Sequence, residues 1–109
     1  MLGNSRWVQE CYVMDVSFPQ YKAFSANGTV GFEGKLAGPR TKRIYDVKLA
    51  APVRQFPESM PATYISPHPE EHHWLAPDRR LCAVWGWNPA KHTFRDVLLV
   101  AIKYIDEFD

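Results

Sequence analysis

The amino-acid sequence predicts an α+β fold in which helices at both ends of the chain flank an antiparallel meander of three to four strands. Three observations carry this reading. Apolar residues alternate with polar or small ones in two neighbouring stretches, Val30, Phe32, Leu36 and then Tyr45, Val47, Leu49, which is the period of strands with one buried face. The connections between these stretches are too short for a crossover helix, so adjacent strands run antiparallel. Phe94, Val97, Leu98, Ala101, Ile102, Ile105 and Phe108 recur at helical spacing, placing a broad apolar helix face after the strands.

The first element is "NSRWVQECYVMDVSF" (residues 4–18). Trp7, Cys11, Met14 and Phe18 share one face at helical spacing, with Val8, Tyr12 and Val16 beside them. Val and Tyr also suit strands, but Asn4 or Ser5 can cap a helix and Pro19 can end it, so a helix is expected. Asn27-Gly28 is a turn signal. "VGFEGKLAG" then forms a strand, "GPR" a turn, and "RIYDVKLAAP" a second strand. "FPESMP" interrupts regular structure at Pro57 and Pro61, and "ATYIS" forms a short third strand before Pro67.

Residues 67–80, "PHPEEHHWLAPDRR", read as a long loop carrying three prolines, three of the four histidines and Trp74. Long irregular segments in small domains often carry function. "LCAVW" is a short apolar run that could reach a sheet edge as a fourth strand, and "GWNP" is a turn. Thr93 begins the final helix as its N-cap, with Asp96 three positions on completing a capping box. The helix should run about four turns.

These elements make one domain over residues 1–109, of a size that buries a modest core with little margin. The chain is 46% hydrophobic and 14% aromatic, with a net charge of +1. That composition fits a folded globule and excludes disorder. It gives no electrostatic reason to expect nucleic acid as a partner. Basic residues concentrate early (Lys35, Arg40, Lys42, Arg43, Lys48, Arg54) and acidic ones late (Asp106, Glu107, Asp109). The basic set reads as a solvated strand edge, or as a patch for an acidic partner. No stretch reaches the ~18 apolar residues of a membrane span, and "MLGNSRWVQE" lacks the pattern of a signal peptide. Two cysteines far apart give no disulfide framework. A cytoplasmic protein with reduced thiols is expected.

Cys82 is the foremost chemical candidate. A thiol becomes nucleophilic where it is accessible and positive charge favours thiolate. Arg79 and Arg80 precede it, and His72 and His73 lie ten and nine positions upstream. Its neighbours Leu81, Ala83 and Val84 favour the rival reading, a small buried packing residue, as cysteine usually is. Cys11, beside Glu10, reads as core. His68, His72 and His73 with Glu70 and Glu71 match no zinc spacing, and there is no pair of Cys-x-x-Cys units, so no metal and no cofactor is expected. There is also no glycine-rich phosphate loop and no Gly-x-Ser-x-Gly elbow. Trp85 and Trp87 alternate about Gly86, so one can pack inward while the other faces a partner.

Taken in order, "VGFEGKLAGP", "IYDVKLAAPVRQFPESMPATYISP", "HHWLAPDRRLC" and "WNPAKHTFRDVLLVAI" resemble the ubiquitin-conjugating enzyme family in its divergent bacterial form. The resemblance spans about residues 28–105. It rests on the Leu-Cys pair, the Trp-x-Pro turn and the threonine helix cap. It implies the fold of that family, with Cys82 as the cysteine that forms a thioester with the C-terminus of a ubiquitin-like protein. His72 or His73 would match the family's histidine, as a structural group or an oxyanion donor. Asp78 would orient or deprotonate the incoming amine, and Trp74, Trp85 and Trp87 would form a partner surface. The implied partners are a ubiquitin-like protein and its activating enzyme. Since small bacterial relatives occur in antiphage-defence operons, a cyclic-nucleotide synthase is a further implied partner. The chain departs from the eukaryotic pattern in having His72-His73-Trp74, with no asparagine there. It also has one helix after the cysteine where eukaryotic members have several. The alternative on the same fold is an inactive binding module in which Cys82 only packs.

Overall fold

The structure, a computed structural model, describes residues 4–66 and 86–109. Helix α1 (Asn4–Ser17) leads into strands β1 (Lys22–Ala26), β2 (Thr29–Ala37), β3 (Ile44–Pro52) and β4 (Ala62–Ser66), and helix α2 (Phe94–Phe108) comes last. The strands form one antiparallel sheet in the order β1-β2-β3-β4, each beside its sequence neighbour.

Local chemistry sets the register. Asn27 and Gly28 both take positive φ, at 52° and 75°. A two-residue hairpin turn with the twist of its strands needs that conformation, and Asn-Gly adopts it at low cost. The turn fixes Ala26 opposite Thr29 and Lys22 opposite Glu33. β1 itself was not expected. "KAFSA" is too short and too rich in alanine to show alternation, so the Asn27-Gly28 signal had a strand on one side only. The edge role expected of "LCAVW" falls on residues 81–85, outside those described, and the fourth strand seen is β1.

Alternation does the rest. Val30 and Phe32 on β2, Tyr45, Val47, Leu49 and Ala51 on β3, and Thr63 and Ile65 on β4 are buried on one face. Both helices cover that face. Trp7 of α1 meets Phe32 with ring centroids 5.2 Å apart, while α2 lies against β3, β4 and α1. Phe94 sits at the junction, with centroids 5.1 Å from both Phe32 and Phe56 and 5.9 Å from Trp7.

α2 bears out the spacing argument: Phe94, Val97, Leu98, Ala101 and Ile105 are buried, and Tyr104 joins them. In α1 the expected primary face packs inward, led by Met14. The neighbouring stripe does not: Val8, Tyr12 and Val16 are 62%, 70% and 65% exposed. One face of a single helix turns toward the sheet, and α1's inward arc takes in Glu10, which is 1% exposed. The loop after β3 carries a cis Phe56-Pro57 bond, with Phe56 buried in the core. Among the described residues, no helix is long and apolar enough to cross a membrane.

Candidate functional site

The segment that carries the sequence-predicted chemistry runs between β4 and Gly86. Cys82, His72, His73, Asp78, Trp74 and Trp85 all lie outside the described residues, as do His68, Glu70 and Glu71. The structure describes the frame that receives the chain on its far side.

That frame is built by Trp87 to Phe94. Trp87 is half-buried against the core, and its indole N–H donates to the Pro57 carbonyl at 2.8 Å. The ring also lies 5.6 Å from His92. The one described tryptophan of the expected partner surface is therefore committed on its polar edge to the chain's own loop. Asn88 organises a tight turn: its carbonyl accepts from the N–H groups of Lys91 and His92, and its side-chain oxygen accepts from Ala90 N–H at 2.9 Å. His92 Nδ1 accepts from Asn88 N–H at 2.9 Å. The neutral imidazole in this arrangement carries its proton on Nε2. Thr93 then starts α2 with the expected capping box. Asp96 N–H donates to Thr93 Oγ1 at 3.4 Å, and Thr93 N–H donates to Asp96 Oδ2 at 2.8 Å.

Two residues of α1 hold this turn in place, and the sequence argument missed both. Arg6 donates from Nε to Glu10 Oε2 at 2.8 Å, and from its terminal nitrogens to Pro89 O at 2.5 Å and His92 O at 2.7 Å. Glu10 Oε1 accepts from Phe94 N–H at 2.9 Å. Phe94 is the first residue of α2, so its N–H has no partner inside the helix, and the carboxylate supplies one where the helix dipole favours negative charge. Burial raises the Glu10 pKa; the Phe94 N–H and Arg6 oppose that rise, and Asp96 adds to it. Desolvation thus outweighs its partners, as is common for a buried ion pair. The Arg6–Glu10 spacing of four is a helical ion-pair signal, but Arg6's partners 83 and 86 residues away leave no local trace. A recess of about 160 Å³ lies over this cluster, lined by Arg6, Gln9, Glu10, Val13, His92 and their neighbours.

Cys11 is half-buried. Burial raises its thiol pKa first and Glu10 second, which makes it a poor nucleophile at neutral pH. Among the described residues, no three His, Cys, Asp or Glu side chains gather as metal ligands would. The early basic and late acidic residues meet at one point: the Asp109 carboxylate accepts from the N–H groups of Arg40 and Thr41 at 2.9 and 3.0 Å, from Thr41 Oγ1 at 2.7 Å and from Tyr45 Oη at 2.7 Å. This docks the end of α2 on the β2–β3 turn.

Comparison with protein-family models, curated proteins and solved structures finds no match to this chain.

Proposed function

We propose that the chain is a ubiquitin-conjugating-like transferase working in the cytoplasm, with Cys82 as its acyl-accepting nucleophile. The observation that supports this most is the order of elements around the cysteine. A helix and a four-stranded antiparallel meander precede the Cys82 segment, and a Trp87-Asn88-Pro89 turn into a threonine-capped helix follows it. That is the order the family resemblance calls for, and the resemblance itself rests on residues 28–105 of the sequence.

The chemistry follows from what a thioester does. The Cys82 thiolate attacks the carbonyl carbon of the ubiquitin-like C-terminus carried as a thioester on the activating enzyme. A new C–S bond forms and the activating enzyme's thiolate leaves. An amine then attacks the same carbon, the C–N bond forms, Cys82 departs as thiolate, and the amine gives up a proton. The acyl group is activated because sulfur donates little resonance to the carbonyl and thiolate leaves readily. Charge gathers on the carbonyl oxygen in both steps and calls for a donor beside it; His72 or His73 is proposed for that place, with Asp78 toward the amine.

The test is incubation of the full chain with ATP, a ubiquitin-like protein and that protein's activating enzyme. The expected product is an adduct cleaved by excess thiol, absent in Cys82→Ala and retained in Cys11→Ala. If wild-type chain forms no adduct, or Cys82→Ala forms it equally, the transferase reading fails and a non-catalytic binding module takes its place.

A further inference from the structure

We propose that Asn27 is a site of spontaneous deamidation, in which the Gly28 backbone nitrogen attacks the Asn27 side-chain amide, and that the isoaspartate so formed frees β1 from the sheet. The reacting groups are neighbours in the chain and water is the co-reactant, so the site needs no partner chain.

The steps balance. Hydroxide removes the Gly28 N–H proton, and the nitrogen adds to Asn27 Cγ. A C–N bond forms and closes a succinimide ring, while the side-chain nitrogen takes up a proton and leaves as ammonia. Water then opens the ring at either carbonyl. Cleavage of the new C–N bond leaves aspartate. Cleavage of the original peptide bond leaves isoaspartate, with the main chain rerouted through Cβ and Cγ. In sum, water is consumed and ammonia released, and a neutral amide becomes a carboxylate.

The surroundings single out this position. The chain has three asparagines, Asn4, Asn27 and Asn88. Pro89 follows Asn88, and its nitrogen has no N–H to lose. Ser5 follows Asn4 inside α1, so a side chain crowds the attacking nitrogen and the helix fixes its backbone. Gly28 has no side chain, and nothing lies within 4 Å of where a Cβ would stand. Asn27 and Gly28 are both exposed, so hydroxide and water reach them. Ring closure has to turn the Asn27–Gly28 link out of its positive-φ conformation, and little resists. The Gly28 carbonyl is held by Val53 N–H at 2.8 Å. β1, which leads into the turn, is a five-residue strand at the end of the sheet whose one half-buried residue is Phe24. Such an element opens at low cost.

The product acts through register. Two residues join Ala26 to Thr29 and thereby set Lys22 opposite Glu33. Isoaspartate adds a backbone atom to a loop whose length selects its geometry, so the strands on its two sides no longer meet in step. β1 then loses its ladder and its side-chain anchor together. That anchor is the Phe24 ring, 3.0 Å from where a Cβ on Gly31 would stand, with Lys48 Nζ over it at 5.1 Å from the centroid. An aromatic ring covering a strand glycine in this way helps to hold two strands together.

The test is to age the full chain in mildly alkaline buffer and map the product by digestion and mass spectrometry, with isoaspartate detected by isoaspartyl methyltransferase labelling. The expected result is conversion at Asn27 several-fold faster than at Asn4, with none at Asn88. The formal net charge of +1 falls by one, which isoelectric focusing reads. Asn27→Gly, which adopts positive φ freely, keeps the circular dichroism spectrum and abolishes the charge shift. In the separated isoaspartate form, hydrogen exchange quickens in β1 and is unchanged in β3. Conversion at Asn27 no faster than at Asn4 overturns the site, whatever becomes of the variant, and so does an equal charge shift in folded Asn27→Gly. Amides of β1 as protected in the isoaspartate form as in fresh chain overturn the release of the strand.

Discussion

Replacing Glu10 by alanine should cost more than any other exchange of a charged residue in the described frame. The loss can be worked from its partners. Phe94 N–H is left buried without an acceptor, which costs about 1–3 kcal/mol, and the hydrogen bond from the Arg6 guanidinium, a charged donor, is worth about 1.5–3 kcal/mol. Part of this is offset, because the carboxylate no longer has to be desolvated, the effect that raises its pKa. The net expectation is a loss of about 3 kcal/mol, or roughly 13 °C in Tm for a domain of this size. Glu10→Gln keeps an oxygen for Phe94 N–H but turns an amide donor toward the Arg6 donor, so it should cost about 1 kcal/mol. Linkage adds a sign. A carboxylate whose folded pKa is raised contributes stability that is fully present below its unfolded value of 4.5 and is lost as pH rises through the folded value. Glutamine does not titrate there, so the advantage of wild type over Glu10→Gln should shrink as pH rises from 4 toward neutrality. Urea unfolding of the three proteins across that range is the assay. An alanine cost under about 1 kcal/mol, or a wild-type advantage over glutamine that grows with pH, would refute the reasoning.

Two further outcomes follow from close contacts elsewhere. A Cβ on Gly31 would lie 1.8 Å from the Leu49 carbonyl oxygen, whereas one on Gly34 would meet the Tyr21 ring at 2.7 Å; Gly31→Ala should therefore abolish cooperative unfolding, while Gly34→Ala costs about 1–3 kcal/mol as the ring shifts, both read by thermal denaturation. The Asp109 carboxyl is held well below its ordinary range by Thr41's hydroxyl and N–H first, with Tyr45 and Arg40 assisting. Its contribution is thus present above pH 3.8 and lost as pH falls through the folded value, so Asp109→Asn should be less stable than wild type at pH 6, with the gap closing on acidification below 3.8 in an acid-unfolding series.

Alternation and caps were legible because they are local. Tyr45, Val47 and Leu49 announce a buried strand face at a spacing of two, and Thr93 with Asp96 marks a helix start within four residues. β1 was hidden because its small residues carry no pattern and its pairing depends on a turn whose first arm looked like loop. In the sequence Glu10 stands only as a charge beside Cys11, whose thiol pKa it does raise; burial of its carboxylate becomes explicable only when the α2 N-terminus arrives from 84 residues away. Whether Val8, Tyr12 and Val16, beside that face, pack or stay exposed is not legible, because amphipathic spacing gives a period, not the width of the arc that packs. For the candidate site, the sequence nominated Cys82 from chemistry and order, while the frame that holds the chain after it depends on Arg6, Glu10 and Trp87, whose partners are distant backbone atoms that no sequence motif advertises.

The meander and α2 enter the chain in a fixed order during synthesis. The four described strands are synthesised before Phe94, Val97, Leu98, Ala101 and Ile105, so Phe32, Val47, Leu49 and Ile65 wait for the part of their cover that α2 supplies. A nascent chain stalled before residue 94 would present that oily sheet to chaperones, and release of the last helix would close it.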